Sequence, residues 1–287
     1  MQSERVCIVL SFDSNMFQQA RECIASVRLY CKYDFDICVV PLELEEKEMN
    51  WLKEQKVIFF DNLKSLPMFK DAPLYAYAQT CRPYLREIFP GYDVYMWIDS
   101  DIRIIDSYAF DYYISNALLY QKAIVISQEI DNTYIFVQDP RSAADYHSAK
   151  NERLLEVYGS DIAGILQYFY CFNSGIFAIS HESDIWENYK NNLAKTLQTS
   201  YNHIKEQEAM NVAIAESGMN VCTAPSTMNW LCASKFPMYD TSSRRWVRPS
   251  FPHIPISVLH LTASNSVINL EGKTMTIYEY YKIKGLT

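Results

Sequence analysis

Short apolar runs rich in β-branched and aromatic residues recur along this chain at 6–12, 35–42, 57–60, 94–98, 123–127, 173–180, 219–224 and 256–261, and between several of them lie stretches of helical periodicity. Strands interleaved with amphipathic helices bury their apolar faces by stacking in layers. The alternation therefore predicts an α/β fold with a mostly parallel central sheet flanked by helices. The clearest helical pattern follows the first strand: Met16, Phe17, Ala20, Cys23, Ile24, Val27, Tyr30 and Cys31 share one face, and Asp13, Ser14 or Asn15 is placed to cap it. Further helices are expected over 43–55, 74–89, 107–121, 143–159, 182–197 and 203–217.

With 287 residues, no internal repeat and no Gly/Ser-rich linker, the simplest organisation is one domain over 1–262 followed by a tail over 263–287. After Pro225 the character changes: Pro237, Pro249, Pro252 and Pro255 and a basic cluster of Arg244, Arg245 and Arg248 imply loops that wrap over the sheet. The tail carries Lys273, Lys282 and Lys284 beside Tyr278, Tyr280 and Tyr281, a pattern that suits either a lid or peripheral contact with an anionic membrane surface.

A net charge of −8 excludes the broad cationic field that nucleic acid requires, so nucleic acid is not an expected partner. The eight cysteines form no CxxC pair and lie mostly in apolar runs, which fits buried thiols in a reducing cytoplasm. The first apolar run leads into a polar turn rather than a small-residue cleavage site, so it reads as a strand and not a signal peptide. Residues 162–181 are uncharged over 20 positions, but Gln167, Asn173 and Ser174 interrupt them and argue against a membrane span.

In the run YDVYMWIDSD an apolar strand ends at Asp99-Ser100-Asp101. Alternation along an extended chain would point the two carboxylates the same way, and hard oxygen ligands of this kind suit magnesium or manganese. A second pair, Asp34 and Asp36, enters a strand instead of leaving one, and so lacks the position where open α/β sheets bind ligands. His260 closes another strand; it is either a third ligand, acceptable to manganese, or a hydrogen-bonded structural residue. G-x-S-x-G, HExxH, Walker A and GxGxxG motifs are all missing, and with seven glycines a glycine-built phosphate cradle is not expected.

Five segments taken in order, VLSFDSN, AYAQTCRPYLREIFPGYDVYMWIDSD, YFYCFNSGIFAIS, EQEAMN and SVLHL, resemble the GT-A glycosyltransferases, and among them family 8, which includes lipooligosaccharide galactosyltransferases and glycogenin. The resemblance spans about Val6 to His260 and makes 1–262 a GT-A domain. It implies a metal site of Asp99, Asp101 and His260 holding Mn2+ or Mg2+. It also implies donor contacts from Ser11, Asp13, Asn15, Arg82, Ser100, Asp131, Asn173, Ser174 and Gly175, with Gln207, Glu208 and Glu206 at the reacting sugar. Two departures stand out. The H-x-x-G-x-x-K-P-W run that usually follows the last strand is missing, which leaves Lys273, Arg82 or Arg244 as a replacement grip on the diphosphate, and glutamates at 206 and 208 replace aspartates.

The function so implied is metal-dependent transfer of a sugar from a nucleotide-diphosphate sugar, expected to be a UDP-sugar, to a glycan or glycolipid hydroxyl with retention of configuration. Were the reaction inverting, Glu206 or Glu208 would have to act as general base, and on a helix only one of two residues spaced i, i+2 can face a cleft. Two alternatives share the expected fold: a sugar-phosphate nucleotidyltransferase, for which the turn after the first strand lacks Gly, Lys and Arg, and a catalytically silent carbohydrate-binding protein.

Overall fold

Strand β1 (Arg5–Asp13) buries every residue from Val6 to Phe12, so each face of it must be covered by another layer. The computed structural model describes residues 4–263, 266–270 and 273–286. In it β1 is an interior strand of a seven-stranded sheet, pairing in parallel with β2 (Asp34–Leu42) on one side and with β4 (Val94–Ile98) on the other. β3 (Ile58–Phe59) extends the β2 side in parallel. Beyond β4 come β7 (Phe172–Ser180), antiparallel to both its neighbours, then β6 (Ile124–Gln128) and β8 (Val221–Ala224), giving the order β3-β2-β1-β4-β7-β6-β8. The sheet is mostly parallel, as expected, with β7 alone reversed.

Period-two alternation divides the core. Val6, Ile8, Leu10 and Phe12 face a cluster with α1 (Phe17–Tyr30) and α5 (Tyr108–Leu119). Cys7 and Val9 face the opposite cluster, built on α8 (Ile185–Thr196) and α9 (Lys205–Glu216). Asp13 supplies the expected cap, accepting from the Met16 N–H in the single turn that leads into α1. Helix α2 (Glu46–Glu54) crosses between β2 and β3.

The helix expected over 74–89 is broken into single turns, among them α3 (Tyr77–Thr80) and α4 (Leu85–Ile88). Pro83 sits between those two, and it can neither donate a backbone hydrogen bond nor avoid the carbonyl one turn earlier. The helix expected over 143–159 extends further, as α7 (Pro140–Leu166) after the short α6 (Ile135–Gln138), because Gly159 takes φ 77° and the chain resumes its helix beyond a kink. The uncharged run 162–181 divides between the end of α7 and β7, and among the described residues no helix is long and apolar enough to cross a membrane.

A separate three-stranded sheet follows from the exit of β4: β12 (Val258–His260) pairs antiparallel with β5 (Ile102–Ile104) and parallel with β9 (Trp230–Leu231). Hairpins β10–β11 (Met238–Asp240, Arg245–Val247) and β13–β14 (Val267–Leu270, Lys273–Thr276) complete the strands. Of the expected tail over 263–287, residues 264, 265, 271, 272 and 287 lie outside the described residues. Its helix α10 (Ile277–Ile283) packs on the protein: Tyr281 is buried with Trp230, Leu259 and Leu261 and donates to the Thr262 carbonyl, while Tyr278 donates to Glu22. Tyr280 packs on Phe236, so all three tail tyrosines are engaged within the molecule, and the packing lends no support to a membrane contact.

Candidate functional site

Side chains converge at the carboxyl edge of the main sheet, where β1, β4 and β6 end and the reversed β7 begins. Asp99 follows the last residue of β4. Its N–H donates to the Gly175 carbonyl and its own carbonyl accepts from Ile102 N–H, closing a tight turn into β5. This turn, rather than extended alternation, brings Asp99 and Asp101 together. The antiparallel register sets His260 opposite Ile102, and His260 Nε2 lies 3.3 Å from Asp101 Oδ1 and 3.9 Å from Asp99 Oδ2. One ligand atom from each of the three residues falls within 4.8 Å of the others.

The donor set fits a divalent ion of the manganese class: two carboxylates and one imidazole, the latter with Nδ1 engaged elsewhere, 2.9 Å from Asn229 Oδ1, and Nε2 turned to the acids. Gly175 makes this possible. A Cβ built there would stand 2.4 Å from His260 Cε1, so only a glycine lets the ring lie against β7.

Arg82 ties the acids to the rest of the edge. Its guanidinium donates to Asp99 Oδ1 at 2.8 Å, and to Ser174 Oγ and Glu206 Oε2 at 2.6 Å each, and it lies over the Trp97 ring at 4.8 Å. Trp97 Nε1 donates to the same Asp99 oxygen, so Oδ2 is the one left for other partners. Burial raises Asp99 above its ordinary pKa against the pull of Arg82 and His260. Burial would also raise Asp101, but His260, a backbone hydrogen bond and Arg103 together outweigh it, and the carboxyl lies below its ordinary value. Glu206 is pushed up to about 7 by burial, which the Arg82 charge only partly offsets.

Beside these groups opens a cleft of about 670 Å3, lined by Ser11, Asp13, Asn15, Arg82, Asp99, Ser100 and Asp101 together with Phe12, Met16, Leu42, Tyr75, Ala78 and Gln79. It lies where the strand order reverses, with β2 and β3 to one side of β1 and β4 to the other, the place where open α/β sheets take ligands. Within it Asn15 Nδ2 donates to Asp13 at 3.2 Å, whereas the Ser11 hydroxyl is spent on the Val40 carbonyl.

No family model matches the chain, and no curated protein matches it in sequence. Solved structures do match. The galactosyltransferase LgtC, in complex with donor and acceptor sugar analogs, superposes with a TM-score of 0.55 at 16% identity over 98% of this chain and 95% of its own. Mouse xyloside xylosyltransferase 1 gives a TM-score of 0.55 at 14% identity over 89% and 97%. The bifunctional glycosyltransferase WbbM gives 0.54 at 15% over 79% of this chain, which spans 40% of that longer one. The fold is that of the GT-A glycosyltransferases.

Within this GT-A fold not every residue expected at the site stands there. Glu206 and Glu208 diverge from the first turn of α9, as helix geometry requires. Glu206 meets Arg82, Ser174 and the Tyr189 hydroxyl, while Glu208 turns to Arg153 of α7 at 2.7 Å and lines a separate small pocket; burial, only partly countered by Arg153, pushes it up to about 7. Asp131 is buried under hydrogen bonds from Thr133, Ser226 and Arg248 and lines a different cavity. Lys273 is exposed in β14 and makes none of the described contacts of the site.

Two residues join the site that the motifs do not name. Glu129, one residue past β6, accepts from Asn173 Nδ2 at 2.8 Å, from Gln207 Nε2 at 3.4 Å and from the Tyr146 hydroxyl at 3.2 Å. Burial raises its pKa against those hydrogen bonds. Its place just beyond a strand's carboxyl end was the signal that could have found it. Asn229, between a single helical turn (Ser226–Met228) and β9, carried no such signal.

Proposed function

We propose that this protein is a metal-dependent glycosyltransferase that moves a sugar from a nucleotide-diphosphate sugar, taken to be a UDP-sugar, to a hydroxyl of a glycan or glycolipid with retention of configuration. One observation carries the reading: Asp99, Asp101 and His260, drawn from β4's exit and from β12, meet beside a cleft at the strand-order reversal. The likeness of fold to LgtC and to the xylosyltransferase supports it.

Asp99, Asp101 and His260 would hold the ion. When bound, such an ion supplies Lewis-acid stabilisation of a departing diphosphate. The chain's own residues do the rest. Ser100, Asp13 and Asn15 line the cleft for the nucleoside, and Arg82 brings a fixed cation beside the acids. Ser174 N–H donates to Gln207 Oε1 at 3.1 Å and Glu129 accepts from its Nε2, so the Gln207 amide is held from both ends before a sugar arrives. Glu129 then binds sugar hydroxyls, the role that the family resemblance implied for Glu208 or Asp131.

The test is to incubate the protein with a panel of sugar nucleotides and Mn2+ and to assay for free sugar and nucleoside diphosphate. Hydrolysis abolished by chelation and restored by Mn2+ supports the reading. Release of nucleoside triphosphate in the presence of pyrophosphate would make it a nucleotidyltransferase, and no turnover with any donor would make it silent.

A further inference from the structure

His260 does not choose its tautomer freely. The backbone N–H of Gly175 donates to Asn173 Oδ1 at 3.0 Å, and Glu129, an acceptor when ionised, takes the Asn173 amide at 2.8 Å. These two partners allow one orientation of the Asn173 amide, oxygen toward Gly175. Asn229 meets that same oxygen at 2.9 Å and must present its NH2 to it. Its own Oδ1 is thereby turned to His260 Nδ1, at 2.9 Å, and can only accept. Nδ1 therefore carries a proton, which leaves Nε2 as the nitrogen turned to Asp101 and Asp99, at 3.3 and 3.9 Å. Asn229 and His260 are both buried, at 2% and 5% exposure, so water does not compete for the bond.

We propose that Asn229 is a positioning residue that holds His260 in the Nδ1–H tautomer and so keeps Nε2 open for a divalent cation shared with Asp99 and Asp101. The inference rests on the metal-dependent reading above. It adds that the orienting amide belongs to a chain of hydrogen bonds, Glu129–Asn173–Asn229–His260, anchored on the backbone at Gly175.

The tautomer can be read without metal or substrate. In metal-free protein labelled with 15N-histidine, two-bond proton–nitrogen correlations distinguish the tautomers of the five imidazoles, and the signal missing from a His260→Gln sample identifies the relevant one. At a pH where the ring is neutral, the expected result is a proton on Nδ1 and a bare Nε2. Asn229→Leu keeps the volume and removes the acceptor; it should mix the tautomers and weaken Mn2+ binding, measured by calorimetry, about 10–100-fold.

A wild-type His260 that carries its proton on Nε2 overturns the inference whether or not the variant folds. So does a folded Asn229→Leu protein whose Mn2+ affinity is unchanged. If the wild-type protein binds no Mn2+ at all, the transfer reading and this role fall together, whereas wild-type Mn2+ binding with the wrong tautomer overturns this role alone.

Discussion

A Cβ on Gly175 would stand 2.4 Å from Cε1 of His260, closer than real Cβ atoms come to their neighbours. The glycine that the motif pattern assigned to the donor sugar thus serves the imidazole, because β7 must pass flush against the ring for Nε2 to reach the aspartates. Gly175→Ala should push the ring off its position and lose Mn2+ affinity in calorimetry. The overpacking should cost about 1–3 kcal/mol in denaturant unfolding. Wild-type affinity in this variant would mean that His260 is not a ligand.

Asp101→Asn removes one charged ligand while keeping its shape. Because a divalent ion stabilises departing charge by several kcal/mol, donor hydrolysis should fall at least about 100-fold. The far-ultraviolet circular dichroism should be unchanged. Equal turnover at saturating Mn2+ would refute the metal assignment.

Among the described residues Arg82 is the one cation bonded to both Asp99 and Glu206, and its side chain and that of Glu206 are 7% and 1% exposed. Removing one partner of such a buried pair leaves the other uncompensated, so Arg82→Met should lower unfolding stability by about 3–5 kcal/mol. The companion Glu206→Gln leaves Arg82 paired with Asp99 and should cost clearly less. A reversed order in urea titrations would place the charge balance elsewhere.

Glu208 gives a stability effect away from the metal site. Its folded pKa of about 7 stands above the ordinary 4.5, with burial outweighing Arg153, so between those values the folded state holds more protons than the unfolded one. The contribution is fully present below about 4.5 and is lost as pH rises through about 7. Tm measured against Glu208→Gln, which mimics the protonated acid, should therefore show the wild-type margin shrinking over that window. A margin that grows with pH would instead make the Arg153 pair dominant.

Much of the fold was legible because periodicity is a local property. The runs at 6–12 and 94–98 became β1 and β4 with residues alternating between two core faces, and the pattern from Met16 to Cys31 became α1. The helix expected over 74–89 failed where Pro83 interrupts it. Short strands such as β5 and β9 carried too few residues for a pattern and exist only through their pairing with β12. The site divides in the same way. Asp99 and Asp101 could be picked out because a strand ends at them, while the placing of Glu129, and not Asp131, beside Asn173 depended on which side chain the bend after β6 turns that way.

By itself, the order of apolar runs and helical faces determined a layered α/β molecule with acids at the exit of a central strand, since burying each apolar face admits few other arrangements. Only the tertiary structure decided that His260 closes on those acids, that Gly175 makes room for it and that Asn229 orients it. Each of these contacts joins residues from separate strands or the turns beside them, through the register of β12 with β5 and β9 and the passage of β7 beside them. Register is a property of paired strands, and no single segment carries it.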